Sequence, residues 1–92
     1  MEHELKIWPQ FYARVKNGSK TFEVRNNDRN FQMGDTVVLK EWDPEKKNKT
    51  VPGSPATGYI DSEPLKFTIG YVHVLDRDQV VFSLLPIKKS KP

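Results

Sequence analysis

The stretch Gly18-Ser19-Lys20-Thr21-Phe22-Glu23-Val24-Arg25 decides how this chain is read, because a helix stop, a strand start and three charged side chains fall within it. Gly18 ends a helical pattern that begins at Pro9, and glycine is the residue best able to take the left-handed conformation just past a helix C-terminus. From Thr21 the pattern turns to alternation. Successive strand side chains point to opposite faces, so Phe22 and Val24 share one face while Thr21, Glu23 and Arg25 share the other. The expectation is that Phe22 and Val24 pack inward and that Glu23 and Arg25 present a carboxylate and a guanidinium outward, with Lys20 at the turn before them. A half-exposed structural strand with an ordinary Glu/Arg pair, contributing less than about 1 kcal/mol, would give the same pattern.

Upstream, Leu5 and Ile7 alternate with Glu4 and Lys6, which predicts a short strand ending at Trp8. Pro9 suits the first position of a helix, and Phe11, Tyr12 and Val15 cluster on one side, which predicts a two- to three-turn helix packed on the strands. Downstream, Asn26-Asn27-Asp28-Arg29-Asn30 reads as a polar turn, and Gly34-Asp35 opens a β-rich segment from Thr36 to Trp42. That segment is expected to pair antiparallel with the strand at Thr21–Arg25. From Asp43 to Gly58, three lysines precede a Pro/Gly/Ser-rich run, predicting a long mobile loop, either a flap over a ligand or a solvated insertion. Leu65, Phe67 and Ile69 then alternate, Gly70 interrupts as at a bulge or bend, and Tyr71 to Leu75 resumes the strand pattern. Asp76-Arg77-Asp78 connects it to Val80–Leu85 as a final hairpin.

The 92 residues suit one domain, taken as 1–87 with a basic tail at 88–92. With 36% hydrophobic and 29% charged residues, the composition is that of a soluble protein. No run of 18 apolar residues occurs, and the start Met1-Glu2-His3-Glu4 is unlike a secretory signal, so a cytoplasmic monomer with no membrane partner is expected. The absence of cysteine excludes disulfides, thiolate catalysis and cysteine zinc sites. His3 and His73 fall at no metal-ligand spacing, so neither a metal nor a cofactor is expected. Lys88, Lys89 and Lys91 supply an amount equal to the whole net charge of +3. A nearly neutral body suits a protein that holds a few phosphates rather than one that coats a duplex. Trp8 and Trp42 each end an apolar element, where a large ring either closes a core edge or stacks on a base.

Gly18, Lys20, Glu23 and Arg25 also fit G-x-K-x-x-E-x-R, the signature of ASCH domains in the PUA-like superfamily of small β-barrels, and the chain resembles that family. His3-Glu4-Leu5-Lys6-Ile7 before a short helix, Asn27-Asp28-Arg29 after the signature, Met33-Gly34-Asp35 and Gly70-Tyr71-Val72 extend the similarity over most of the chain outside about 45–58. The resemblance implies an α+β fold, a small mostly antiparallel PUA-like β-barrel of five to six strands with one short helix after the first strand. It also implies a module binding RNA or a nucleotide-like small molecule in a pocket lined by Lys20, Glu23, Arg25 and Arg29, with Trp8 and Tyr12. In that pocket Lys20 and Arg25 hold a phosphate or carboxylate while Glu23 accepts from an amino group or orients Arg25. The alternative is a small amidohydrolase of acetylated cytidine-type nucleosides, since ASCH relatives of that kind use a Lys, a Thr three positions later and a distant Glu. Lys20 matches the lysine, but position 23 is Glu, so the catalytic set here would be Lys20, Thr21 and Glu23. Activation of a hydroxyl by lysine needs a depressed pKa, and an adjacent carboxylate acts the other way.

Overall fold

The computed structural model describes residues 1–46, 50, 51, 54, 55 and 57–87. They form strands β1 (Glu2–Ile7), β2 (Phe22–Asn26), β3 (Thr36–Glu41), β4 (Thr50–Val51), β5 (Ser54–Pro55), β6 (Leu65–Asp76) and β7 (Gln79–Pro86), with helix α1 (Pro9–Lys16) after β1. The arrangement is α+β, with the helix directly after the first strand as its Pro9 start predicts. Five strands make one sheet in the order β1-β3-β6-β7-β2, and β4 pairs with β5 separately. Two compact units divide the chain. One holds Met1–His3, Thr21–Val38 and the chain from Lys66 onward; the other holds Glu4–Lys20 and Leu39–Leu65.

The sheet is mixed. β2 and β6 both pair antiparallel with β7. Between β1 and β3 the partners ascend together: the Thr36 N–H donates to the Met1 carbonyl at 2.9 Å and the Trp42 N–H to the Ile7 carbonyl at 2.8 Å. Parallel neighbours need a long crossover, usually helical, and α1 lies within this one. β2 does not pair with β3, against the sequence expectation. The segment between them is too long for a tight hairpin, and the Asn27 N–H donates instead to the Asp78 carbonyl in the β6–β7 turn at 2.7 Å. The β6–β7 hairpin supplies the partner that β3 was expected to be.

The helix stop follows the sequence closely. Gly18 takes φ +85°, and its N–H donates to the Val15 carbonyl at 3.2 Å. The Asn17 side chain accepts from the Ser19 N–H at 2.8 Å, so the Arg14 carbonyl is served by the Lys20 N–H at 3.0 Å. In this way carbonyls left over at the helix end find donors. At Gly70 the expected bulge is present. Pairing shifts between Ile69 and Val72, the Ser83 Oγ accepts from the Tyr71 N–H at 2.8 Å, and a β-carbon on Gly70 would run into that same Oγ.

Between Asp43 and Gly58, where a long mobile loop is expected, Pro44–Lys46 form a 3₁₀ turn and Thr50 pairs opposite Pro55. Residues 47–49, 52, 53 and 56 of that segment, and the tail at 88–92, lie outside the described residues. Its two ends are joined: the Asp43 N–H donates to the Gly58 carbonyl at 2.8 Å, and Trp42 bridges Tyr59. In the first unit Phe31, Val37, Val38, Ile69, Val80, Phe82 and Leu84 are buried; in the second, Leu5, Ile7, Tyr12, Val15 and Leu39 are.

Gly58 has φ +91° and its missing β-carbon would overlap the Trp42 indole, whereas Gly18, also left-handed, has open space around it. Gly18→Ala is therefore expected to cost about 1–2 kcal/mol from backbone conformation alone. Gly58→Ala is expected to cost about 1–3 kcal/mol more, because the indole must move. Urea unfolding of the two variants checks this, and equal losses would remove Trp42 from the account of Gly58.

Candidate functional site

The signature strand keeps its predicted parity but shows the opposite face to the core. Glu23 is buried at 4% exposure, while Phe22 and Val24 are each 46% exposed. The register explains the reversal: Glu23 lies opposite Phe82 and Arg25 opposite Val80, and both partners are core residues at 1% exposure. Directly opposed residues share a face. Local sequence could set the alternation but not which face would meet β7. The Arg25 Nε donates to the Glu23 Oε2 at 3.0 Å, and Arg25 Nη2 reaches the same oxygen at 3.0 Å. Glu23 thus orients Arg25, a role the residue types suggested, from an inward position they did not. Thr21 is exposed, and its carbonyl accepts from the Leu84 N–H at 2.9 Å. Arg29 is exposed, 3.9 Å from the Asp28 carboxylate.

Lys20, Trp8 and Tyr12 belong to the other unit. Trp8 is the residue at the N-cap of α1 and makes no side-chain capping bond, although Ser, Thr, Asp and Asn are the side chains that satisfy the free N–H groups there. Trp8 is 47% exposed, beside Phe11 at 42%. The two rings stack with centroids 6.2 Å apart and 15° between planes, and the Lys20 Nζ stands 5.7 Å from the Phe11 centroid. Two large aromatics and a cation therefore meet at the surface, one of them at a position where it neither caps nor fills a core. The helical pattern places Phe11 with the packing residues Tyr12 and Val15, whereas its i, i+3 spacing from Trp8 is the signal for this surface pair. Tyr12 is buried at 6% exposure, and its hydroxyl donates to the Glu63 carbonyl at 2.7 Å.

A constellation that sequence reasoning missed lies in the first unit. His3 is buried at 4% exposure, and its Nε2 is 2.8 Å from the Asp35 Oδ2. Asp35 also accepts from the Met1 ammonium at 3.2 Å and from the Gln32 N–H at 3.2 Å. The His3 ring meets Phe31 edge-on at 4.8 Å. Parity was the signal, because His3 shares the inward face of β1 with Leu5 and Ile7. The outer face of β2, β7 and β6 in the same unit carries Phe22, Val24, Leu85 and Tyr71 exposed, with the Tyr71 and His73 rings stacked at 6.5 Å. Among the described residues no group of three His, Asp or Glu could hold a metal ion, and no helix is long and apolar enough to cross a membrane.

Over residues 2–75 the chain matches the family described as Domain of unknown function (DUF3850), and it belongs to that family. It is also 42% identical over 40 residues to a protein of Escherichia phage P2 described as "Uncharacterized 12.9 kDa protein in GpA 3'region". That similarity covers 44% of this chain and 37% of the phage protein.

The hydrogen bond from His3, with the Met1 ammonium and the Gln32 N–H, holds the Asp35 carboxyl below its ordinary value against the opposing effect of burial. A carboxyl depressed in the folded state contributes stability above its unfolded pKa of about 3.9, lost as pH falls through the folded value. Chemical denaturation should show wild-type stability falling below about pH 4. Asp35→Asn should lower stability at pH 7 and flatten that fall; an unchanged acid slope would contradict the assignment.

Proposed function

We propose that this protein is an RNA- or nucleotide-binding module of the ASCH/PUA-like kind, with a barrel-type fold, acting as a cytoplasmic monomer without metal or cofactor. The observation that carries the reading is the Lys20 ammonium over Phe11, whose ring stacks on the exposed Trp8. Aromatic faces accept any base, stacking contributing about 1–3 kcal/mol per base, and a lysine beside them supplies the charge-assisted contact that a phosphate needs. The helix stop supports the arrangement, since the Lys20 N–H is tied back to the Arg14 carbonyl and its side chain starts from a fixed point. Arg25, the other cation of the signature, lies in the other unit, where Glu23 holds its Nε and Nη2. Trp8 and Lys20 keep ligand-facing roles in this reading, and Phe11 joins them; Glu23, Arg25 and Arg29 belong to the other unit. Tyr12 supports the helix from inside through its bond to Glu63.

In the amidohydrolase alternative Glu23 would carry a proton. A carboxylate held by both Nε and Nη2 of one arginine is better suited to orienting that arginine than to shuttling protons, which favours binding.

Titration with adenosine and cytidine 5′-monophosphates tests the reading, with folding of each variant verified by thermal melting. Trp8→Ala and Lys20→Ala should each lower affinity by about 1–3 kcal/mol. Affinity unchanged in the Trp8→Ala, Lys20→Ala double variant would overturn the assignment. Turnover of an acetylated cytidine that is lost in Glu23→Gln would replace it with the amidohydrolase reading.

A further inference from the structure

We propose a second base-stacking position at Trp42 and Tyr59, served by Lys6, which makes the ligand class single-stranded oligonucleotides rather than mononucleotides. This inference rests on the nucleotide-binding reading above and deepens it. The position repeats the chemistry of the first. The Lys6 Nζ lies 4.7 Å from the Trp42 ring centroid and 5.9 Å from that of Tyr59, as Lys20 lies over Phe11. Tyr59 is 50% exposed, Lys6 is exposed and Trp42 is half-buried, so the position reaches solvent.

The indole is held in place before any ligand arrives. The Trp42 Nε1–H donates to the Thr57 carbonyl at 3.0 Å, and the bare Cα of Gly58 backs directly onto the ring. A ring already fixed loses little freedom when a base stacks on it, which is the energetic advantage of preorganisation. A phosphate oxygen is a stronger partner for an ammonium such as that of Lys6 than an aromatic face is.

Placement joins the two positions. Both belong to the same unit, and both are rooted at the end of β1: Lys6 and Trp8 flank Ile7, whose carbonyl accepts the Trp42 N–H at 2.8 Å. Residues two apart in a strand stand about 6–7 Å apart. A lysine-and-aromatic position on each side of Ile7 is what a strand of consecutive nucleotides needs, because successive bases stack on successive rings while cations follow the backbone. The nearly neutral body fits an occupant with few phosphates, and base stacking selects unpaired bases over a duplex.

The two tryptophans report on one position each, so single-tryptophan variants read them separately. In Trp42→Phe, Trp8 fluorescence should be quenched by adenosine 5′-monophosphate and by single-stranded tetra-adenylate. In Trp8→Phe, Trp42 should be quenched by tetra-adenylate. The unmodified protein should bind tetra-adenylate at least about tenfold more tightly than the mononucleotide, with a steeper salt dependence. Tyr59→Ala, a substitution at an exposed side chain, should weaken tetra-adenylate binding roughly 5- to 150-fold. If tetra-adenylate quenches Trp8 but not Trp42, and Tyr59→Ala leaves its affinity unchanged, the second position does not exist and the mononucleotide reading stands alone. If neither probe binds or quenches either tryptophan, the nucleotide-binding reading itself fails and this inference falls with it.

Discussion

The left-handed turn at Gly18 is the constraint on which the candidate site depends. With φ at +85°, the chain leaves α1 so that the Lys20 N–H returns to the Arg14 carbonyl and the Lys20 ammonium comes over Phe11. Just before β2 the Thr21 carbonyl takes the Leu84 N–H, in line with the register of β2 against β7. Once the register is fixed, strand parity leaves no choice: Glu23 and Arg25 face the side of Phe82 and Val80, and Phe22 and Val24 face out. The turn sets the cation above Phe11, and the register of β2 against β7 sets the inward carboxylate that aligns Arg25.

Burying Glu23 is tolerable because its charge is met at once. Taking a carboxylate out of water is costly unless it is paired and hydrogen-bonded, and Arg25 supplies two nitrogens to one oxygen from two residues along the same strand. The other inward ionisable group, His3, is met by Asp35 in the same way. The exposed groups follow the opposite logic: Trp8 and Phe11, which a core could use, are left in solvent beside a lysine.

Much of this was legible in the sequence. Pro9 and Gly18 bracketed the helix, alternation located β1, β2, β6 and β7, and Gly70 marked the bulge that Ser83 fills. These features are local, set by propensity and by what a backbone position will accept. Hidden were the features that depend on distant partners. The antiparallel pairing of β2 with β3 failed because the β6–β7 hairpin competes for the strand edges, and no local pattern records that competition. The outward assignment of Glu23 failed for the same reason, since the face of a strand is decided by its neighbour. In the Asp43–Gly58 segment, the composition of a loop concealed short paired strands whose ends are closed by Trp42 and Gly58. Lys20 and Trp8 were both named from sequence, but the ring that connects them, Phe11, was visible only once the helix had placed it.

In the proposed function the surface at Trp8, Phe11 and Lys20 receives a nucleotide. The most direct test is an NMR titration of the folded protein with adenosine 5′-monophosphate, following the Trp8 indole, the Phe11 ring protons and the Lys20 methylenes next to Nζ. Ring-current shifts concentrated on these three groups, saturating together, are the expected result. Shifts confined to Tyr71 and His73 on the outer face of β6, or none in any of these groups at saturating nucleotide, would contradict it.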